Sequence, residues 1–330
     1  MQAPMAGGPS TPGLAAAVCE AGGLGFLAAG YRSAEDLGEE VAALREQTSR
    51  PFGVNVFVPS GGPADPEVVA AYARRLTPLA EKAGVDLGEP RFEDDEFGAK
   101  CSALIEDPPA VVSFTFGCPE EGFVHDLHGA GAEVWVTVTD PEEAAIAAQA
   151  GVDALVVQGA EAGGHRGSFV DSPERVEYGL LALLQLVPAE VELPLIASGG
   201  IATGAGIAAV LAAGAVAAQL GTAFMLCPEA GTSKAHREAI ASTRPTGLTR
   251  AFSGRLARGI VNRLQREHSD FAPLAYPQVH HLTSPLRAHG RKVGEEGLIN
   301  LWAGEAHALA EARPAAEVVA RIDREAREAL

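Results

Sequence analysis

Apolar and polar positions recur in blocks along the chain. A short apolar run is followed by a glycine or polar turn, then by an alanine-rich segment of helical spacing, and the cycle starts again. Runs that read as strands are 2–6, 24–29, 52–58, 111–117, 133–139, 154–159, 194–198 and 215–220. Helix starts are written between them: Ser33 precedes an acidic first turn, and Asp140 precedes Pro141 at the first helical position. Strand–helix alternation predicts βαβ units on a parallel sheet, and eight units predict an α/β fold of the closed (β/α)8 TIM barrel type.

Two stretches depart from this rhythm. The interval 61–109 holds two helical patterns, 66–83 and 94–106, and reads as an inserted helical segment or a distorted unit of the barrel, able to form a lid. After Met225 the pattern turns to charged helical pieces and irregular segments, so residues 1–226 are expected to form the barrel and 227–330 a C-terminal helical extension packed on it. The first strand has almost nothing before it: either the barrel begins on a very short strand, or the true start lies upstream. The segment 204–209 formally matches GxGxxA, but it lies beyond the turn that follows its strand, and the next strand ends without an acid. It reads as a helix packing on the barrel, not as a dinucleotide fingerprint.

Composition narrows the function. With 47% hydrophobic and 21% charged residues the chain suits a soluble globular protein with an ample core. A net charge of -18 argues against nucleic-acid partners, which need clustered Lys and Arg; a small anion bound in a locally positive cleft remains open. Cys19, Cys101, Cys118 and Cys227 are widely spaced with no CxxC pair, which suggests neither a disulfide framework nor a zinc site and fits a reducing cytoplasm. No run approaches the roughly 20 apolar residues that span a bilayer, so no membrane partner is expected. His125, His128, His280 and His281 group by spacing, yet no metal is expected there. The expected assembly is a monomer or homodimer.

In a parallel barrel the loops after the strands carry the chemistry. The polar or glycine-rich exceptions at those positions are Pro4, Met5, Ala6, Asn55, the run from Gln158 to His165, Ser198-Gly199-Gly200 and Gly221-Thr222. Glycines after the seventh and eighth strands let backbone N–H groups approach a phosphate, although each also suits a tight turn. Asn55 and Gln158 offer both donor and acceptor, or satisfy the core. Met5 suits a flat ring, or plain packing. His165, after Gly163-Gly164, is able to donate to an anion or take a proton; alternatively it anchors its loop.

Together QAPMAGG, GVNVF, VVQGAEAGGH, PLIASGGI and QLGTAF resemble the nitronate monooxygenase family, with weaker support from AFSGRLARGI and NLWAGE. The resemblance implies an FMN-dependent barrel enzyme. Pro4, Met5 and Ala6 would lie along the flavin, Asn55 and Gln158 would hydrogen-bond it, and Gly163 and Gly164 would approach it. Ser198, Gly199, Gly200, Gln219, Leu220, Gly221 and Thr222 would hold the phosphate, His165 would be catalytic and Tyr276 would line the substrate pocket. The implied reaction is oxidation of an alkyl nitronate, propionate 3-nitronate being favoured, with O2 as co-substrate and a carbonyl compound and nitrite as products. Alternatives are a flavin-dependent enoyl-acyl carrier protein reductase using NAD(P)H and a non-catalytic flavin-binding barrel. An inosine monophosphate dehydrogenase relative is disfavoured, Cys118 being its nearest approach to a catalytic cysteine. Two positions depart from the family pattern: Glu305 stands where Gln is expected, and Thr115 where His is frequent.

Overall fold

The computed structural model describes residues 1–59 and 61–330. Its strands are β1 (Phe26–Ala28), β2 (Gly53–Phe57), β3 (Val111–Thr115), β4 (Glu133–Val138), β5 (Ala154–Gln158), β6 (Gly164–His165), β7 (Leu195–Ser198), β8 (Ala217–Gln219), β9 (Thr246–Thr249) and β10 (Ala257–Ile260). Seven of them form one parallel sheet in the order β1-β2-β3-β4-β5-β7-β8. These strands read as nearly unbroken apolar runs because helices cover one face and barrel side chains the other.

The sheet curls into a TIM-barrel-like α/β fold, and the start of the chain closes it. Gln2 bridges Leu220 in parallel. Its N–H donates to Leu24 O at 2.9 Å, and Ala3 N–H donates to Leu220 O at 2.8 Å. The span 2–6 is therefore a single bridge, not a full strand. Pro4 has no N–H to continue the ladder, and Gly7 and Gly8 turn the chain away at positive φ. The Gln2 side chain is fully buried, accepting from Phe26 N–H at 2.9 Å and donating to Ser10 Oγ at 2.9 Å.

The outer helices begin where the sequence places their caps. Ser33 and Asp36 form a reciprocal capping box at the helix Ala34–Arg45, and Asp140 accepts from Glu143 N–H at the helix Pro141–Gln149. Within 61–109 the two helices behave differently. Phe97–Glu106 packs in the outer ring against Ala34–Arg45 and Glu121–Ala130. Pro66–Ala83 leaves the barrel and buries Val69, Tyr72 and Leu76 against Val279 and Leu282 of the helix Gln278–Val293. The final helix, Ala315–Ala329, lies between Pro12–Glu20 and Gly204–Ala212, and its Ala315, Val318 and Ile322 share the main barrel core. Gly204, the first glycine of the GxGxxA match, is in that contact: a Cβ there would meet Glu325 Cβ at 2.2 Å.

Register sets the level of the polar side chains at the C-terminal rim. Asn55 pairs with Ser113, Gln158 with Ser198, and Ser198 with Gln219. A second, antiparallel sheet of order β6-β10-β9 stands over this rim, with His165 opposite Ala257.

Candidate active site

A cavity of about 410 Å³ opens at the C-terminal ends of the strands. Pro4, Met5, Ala6, Asn55, Gln158, Gly163, Gly164, His165, Ser198, Gly199, Gly200, Gln219, Gly221 and Thr222 all line it. Leu220 does not: side chains alternate along a strand, so Gln219 and Gly221 face the cavity while Leu220 turns into the core at 1% exposure. Its backbone is also occupied, by Met1 O and Ala3 N–H. Tyr276 lies next to His165, ring centroids 5.7 Å apart, but lines a smaller neighbouring cavity with Tyr31, Phe57 and Phe116.

His165 is held by the second sheet and by a hydroxyl. Its Nε2 lies 2.8 Å from Ser253 Oγ, which in turn reaches Arg255 O at 3.2 Å. When the Ser253 hydroxyl donates to that carbonyl it accepts from Nε2–H, and the Nδ1 lone pair is left to take a proton. Phe116, Tyr276 and Trp302 stand around the imidazole with centroids 5.6 to 5.8 Å away. Burial among them, with the Arg255 and Arg287 guanidinium groups nearby, pushes the imidazole down to about 3. It is neutral at physiological pH.

The loop that carries His165 is pinned by its own neighbours. Gln158 Nε2 donates to His165 O at 3.2 Å, while Gln158 Oε1 accepts from Gly167 N–H at 2.8 Å and from Arg166 Nη1 at 2.6 Å. Arg166, 2% exposed and paired with Glu177, also donates to Gly159 O at 2.7 Å. Gly163 has a packing reason to be glycine: an added Cβ would stand 2.5 Å from Ala303 C and Gly304 N. Asn55 is 3% exposed and spends Nδ2 on Ser113 O, Ser113 Oγ and Thr115 Oγ1, which leaves its Oδ1 as the group available to a ligand. Thr115 thus orients Asn55, at 3.0 Å, and touches Thr137 Oγ1 at 3.3 Å.

The turns after β7 and β8 form the opposite wall. Gly199 and Gly200 both hold positive φ, where a side chain is strained, and an added Cβ would come within about 3.0 Å of Ala162 N and Glu161 Cβ respectively. The backbone N–H groups of Gly200, Gly221 and Thr222 make no hydrogen bond among the described residues. Main-chain donors left open beside a cavity fit an anionic oxygen.

The third wall was not visible in the residues after the strands. Trp302 and Gly304 line the cavity, and Gly304 N–H donates to Thr222 Oγ1 at 3.0 Å. Glu305 pairs instead with Arg258 at 3.0 Å and is not among the lining residues. The helix Gln278–Val293 contributes His280, Ser284, Arg287 and Arg291. Among the described residues lining the cavity there is no Asp, Glu or Cys. The histidines grouped by spacing form no single cluster: His128 contacts Asp153, while His280 and His281 stay adjacent with ring centroids 5.3 Å apart, His280 stacking on Tyr31 at 4.1 Å and His281 contacting Glu93. No cluster of three or more metal-ligating side chains, and no helix long and apolar enough to cross a membrane, occurs among the described residues.

Known proteins resemble this chain over its whole length. The family model described as nitronate monooxygenase matches residues 1–325. A nitronate monooxygenase of Paraburkholderia phytofirmans is 42% identical, covering 100% of this chain and 92% of the relative. The solved structure of nitroalkane oxidase from Streptomyces ansochromogenes superposes with a TM-score of 0.97 at 50% identity, covering 100% of this chain and 95% of that one. FabK from Thermotoga maritima is more distant, with a TM-score of 0.77 and 28% identity over 99% of this chain and 92% of that one.

Proposed function

The chain belongs to the nitronate monooxygenase family, flavoenzymes that oxidise nitronates, and from that premise we propose that it binds FMN across the barrel mouth and oxidises alkyl nitronates, propionate 3-nitronate among them, with O2 to a carbonyl compound and nitrite. The observation that carries this reading is the pairing of open main-chain donors after β7 and β8 with a neutral His165 across one cavity free of carboxylates.

The residues present suit FMN. Gly200, Gly221 and Thr222 would hold its phosphate through backbone N–H groups, Asn55 Oδ1 would accept from the ring, and Pro4, Met5 and Ala6 would flank it. FMN, when bound, supplies the electron transfer between substrate and O2. The chain's own task is to exclude water, orient the nitronate and manage its proton. Phe116, Tyr276 and Trp302 close the space round His165. With a neutral nitroalkane, His165 would take the proton from the carbon bearing the nitro group; with a preformed nitronate no proton need move, and the imidazole serves as a positioned hydrogen-bonding partner. A small soluble substrate, a monomer or homodimer and a cytoplasmic location complete the proposal.

The test is direct. The purified protein should be yellow, release FMN on denaturation, and consume O2 while forming nitrite when given propionate 3-nitronate. Protein that stays free of flavin and inactive after FMN is added would defeat the reading.

A further inference from the structure

Two of the buried arginines of this protein have a carboxylate, Arg166 pairing with Glu177 and Arg258 with Glu305, and the half-buried Arg250 and Arg175 pair with Asp171 and with Asp140 and Glu143. Arg287 does not. It is 5% exposed and lines the cavity, yet forms no ion pair among the described residues. Its Nε donates to Thr283 Oγ1 at 3.0 Å, and its Nη2 to His280 O at 2.7 Å and His280 Nδ1 at 3.3 Å. Its Nη1 makes no hydrogen bond among the described residues, and the side chain belongs to the cavity lining.

A buried charge without a counter-ion is costly, and a guanidinium fixed by three bonds on one side is ready to receive an anion on the other. Its position says which anion. Arg287 holds His280, which stacks on Tyr31 at 4.1 Å and lies 6.5 Å from Tyr276, the ring that faces His165. It therefore belongs to the His165 end of the cavity, while the open amides for a phosphate lie at the turns after β7 and β8.

We propose that Arg287 is the fixed cation that receives the oxygens of the anionic substrate, leaving His165 to act as a neutral proton acceptor; this rests on the nitronate reading of the same cavity. The division of labour follows from chemistry: an uncharged imidazole cannot balance a nitronate, and Arg287, although burial lowers it to about 10, keeps its charge at neutral pH. When a neutral nitroalkane is the substrate, the same guanidinium would stabilise the nitronate as it forms, while the proton leaves carbon for His165.

The experiment compares flavin-loaded wild type with Arg287→Met, Arg287→Lys and Ser284→Glu. Each is assayed for KM and kcat with ethyl nitronate and nitroethane, and titrated anaerobically with nitrate, a planar anion, using the flavin spectrum. Arg287→Met should raise the nitronate KM by about 10- to 100-fold, the range expected for losing a charge-assisted hydrogen bond. It should weaken nitrate binding alike and keep its flavin; Arg287→Lys should recover part of both. Ser284→Glu, which leaves every Arg287 hydrogen bond in place but sets a carboxylate on the same wall, should also raise KM, and covers the case in which Arg287→Met fails to fold. Unchanged nitronate KM and nitrate affinity in Arg287→Met, or in Ser284→Glu where that variant stands in, would overturn the proposal. So would loss of FMN affinity with normal KM once FMN is restored, because Arg287 would then serve the cofactor. If wild type oxidises no nitronate, the functional reading fails by itself, and the nitrate titration still decides whether Arg287 is an anion receptor.

Discussion

At the scale of single residues the proposed chemistry turns on His165 and its hydrogen-bond partner Ser253. The imidazole is neutral because burial and two nearby arginines disfavour its charge; this keeps its lone pair free below the ordinary histidine value of about 6.5 but weakens it as a base, a loss that the negative charge of a nitronate forming beside it would offset. His165→Asn should keep its flavin and lose about 10²- to 10⁴-fold in kcat on neutral nitroalkanes, the usual contribution of a general base, with a much smaller loss on preformed nitronates. Steady-state kinetics on both substrate forms checks it, and equal losses on both would assign His165 to holding its loop. A histidine after two glycines at a strand end is legible in sequence because few structural needs produce that pattern. Gln158 and Gly163 were legible as positions but not in their detailed contacts: Arg166 and Gly167 occupy the amide oxygen of Gln158, and the Ala303–Gly304 backbone excludes a side chain at 163. Arg287 was illegible, since an arginine on a helix ordinarily points to water and only the fold turns it inward.

Among the elements, the seven parallel strands follow from apolar runs bounded by turns, and their registers then bring Asn55, Gln158, Ser198 and Gln219 to the rim. β6, β9 and β10 escaped the sequence because β6 has only two residues, β9 offers one large apolar residue, Leu248, and RLARGI carries two arginines where a strand pattern looks for alternation. These arginines are buried by backbone and side-chain oxygens, Arg255 by Arg166 O and Arg258 by Ala160 O and Glu305. The segment 84–96, between the excursion helix Pro66–Ala83 and the ring helix Phe97–Glu106, is fastened by Lys100. Lys100 is fully buried and lies 2.8 Å from Asp95, whose other oxygen accepts from Tyr31 N–H. Lys100→Ala would strand Asp95, already raised by burial, and should cost about 3–5 kcal/mol, the usual penalty for breaking a buried pair. Urea unfolding measures this. Because Tyr31 stacks on His280 at the cavity wall, the nitronate KM should rise in the same variant.

Over the whole molecule, closure of the barrel rests on Gln2, which joins the β8 edge to Leu24 before β1 and offers Oε1 to Phe26 N–H. Gln2→Ala leaves that buried donor unpaired and should lower stability by about 1–3 kcal/mol, read from denaturant midpoints. Acid should act globally through the histidines. His165 at about 3, His236 at about 4 and His280, well below its usual value, all lie under the unfolded value of about 6.5. Below about pH 6.5 the unfolded chain binds protons that the folded chain refuses, so these groups make stability fall as pH drops and leave it unchanged above. Melting of the flavin-free protein between pH 7 and 5 should show this fall, with a shallower slope in His165→Asn. The net charge of -18 is compatible with an anion site because the carboxylates lie elsewhere and the cavity keeps Arg287 and Arg291 without them. The central claim, that a nitronate and not a nicotinamide is the electron donor to flavin in this cavity, is tested most directly by anaerobic rapid mixing of the purified flavoprotein with propionate 3-nitronate and, separately, with NADH and NADPH. The flavin absorbance should change within a turnover with the nitronate and hold steady with the nicotinamides; rapid bleaching by NADH or NADPH with no response to the nitronate would contradict it.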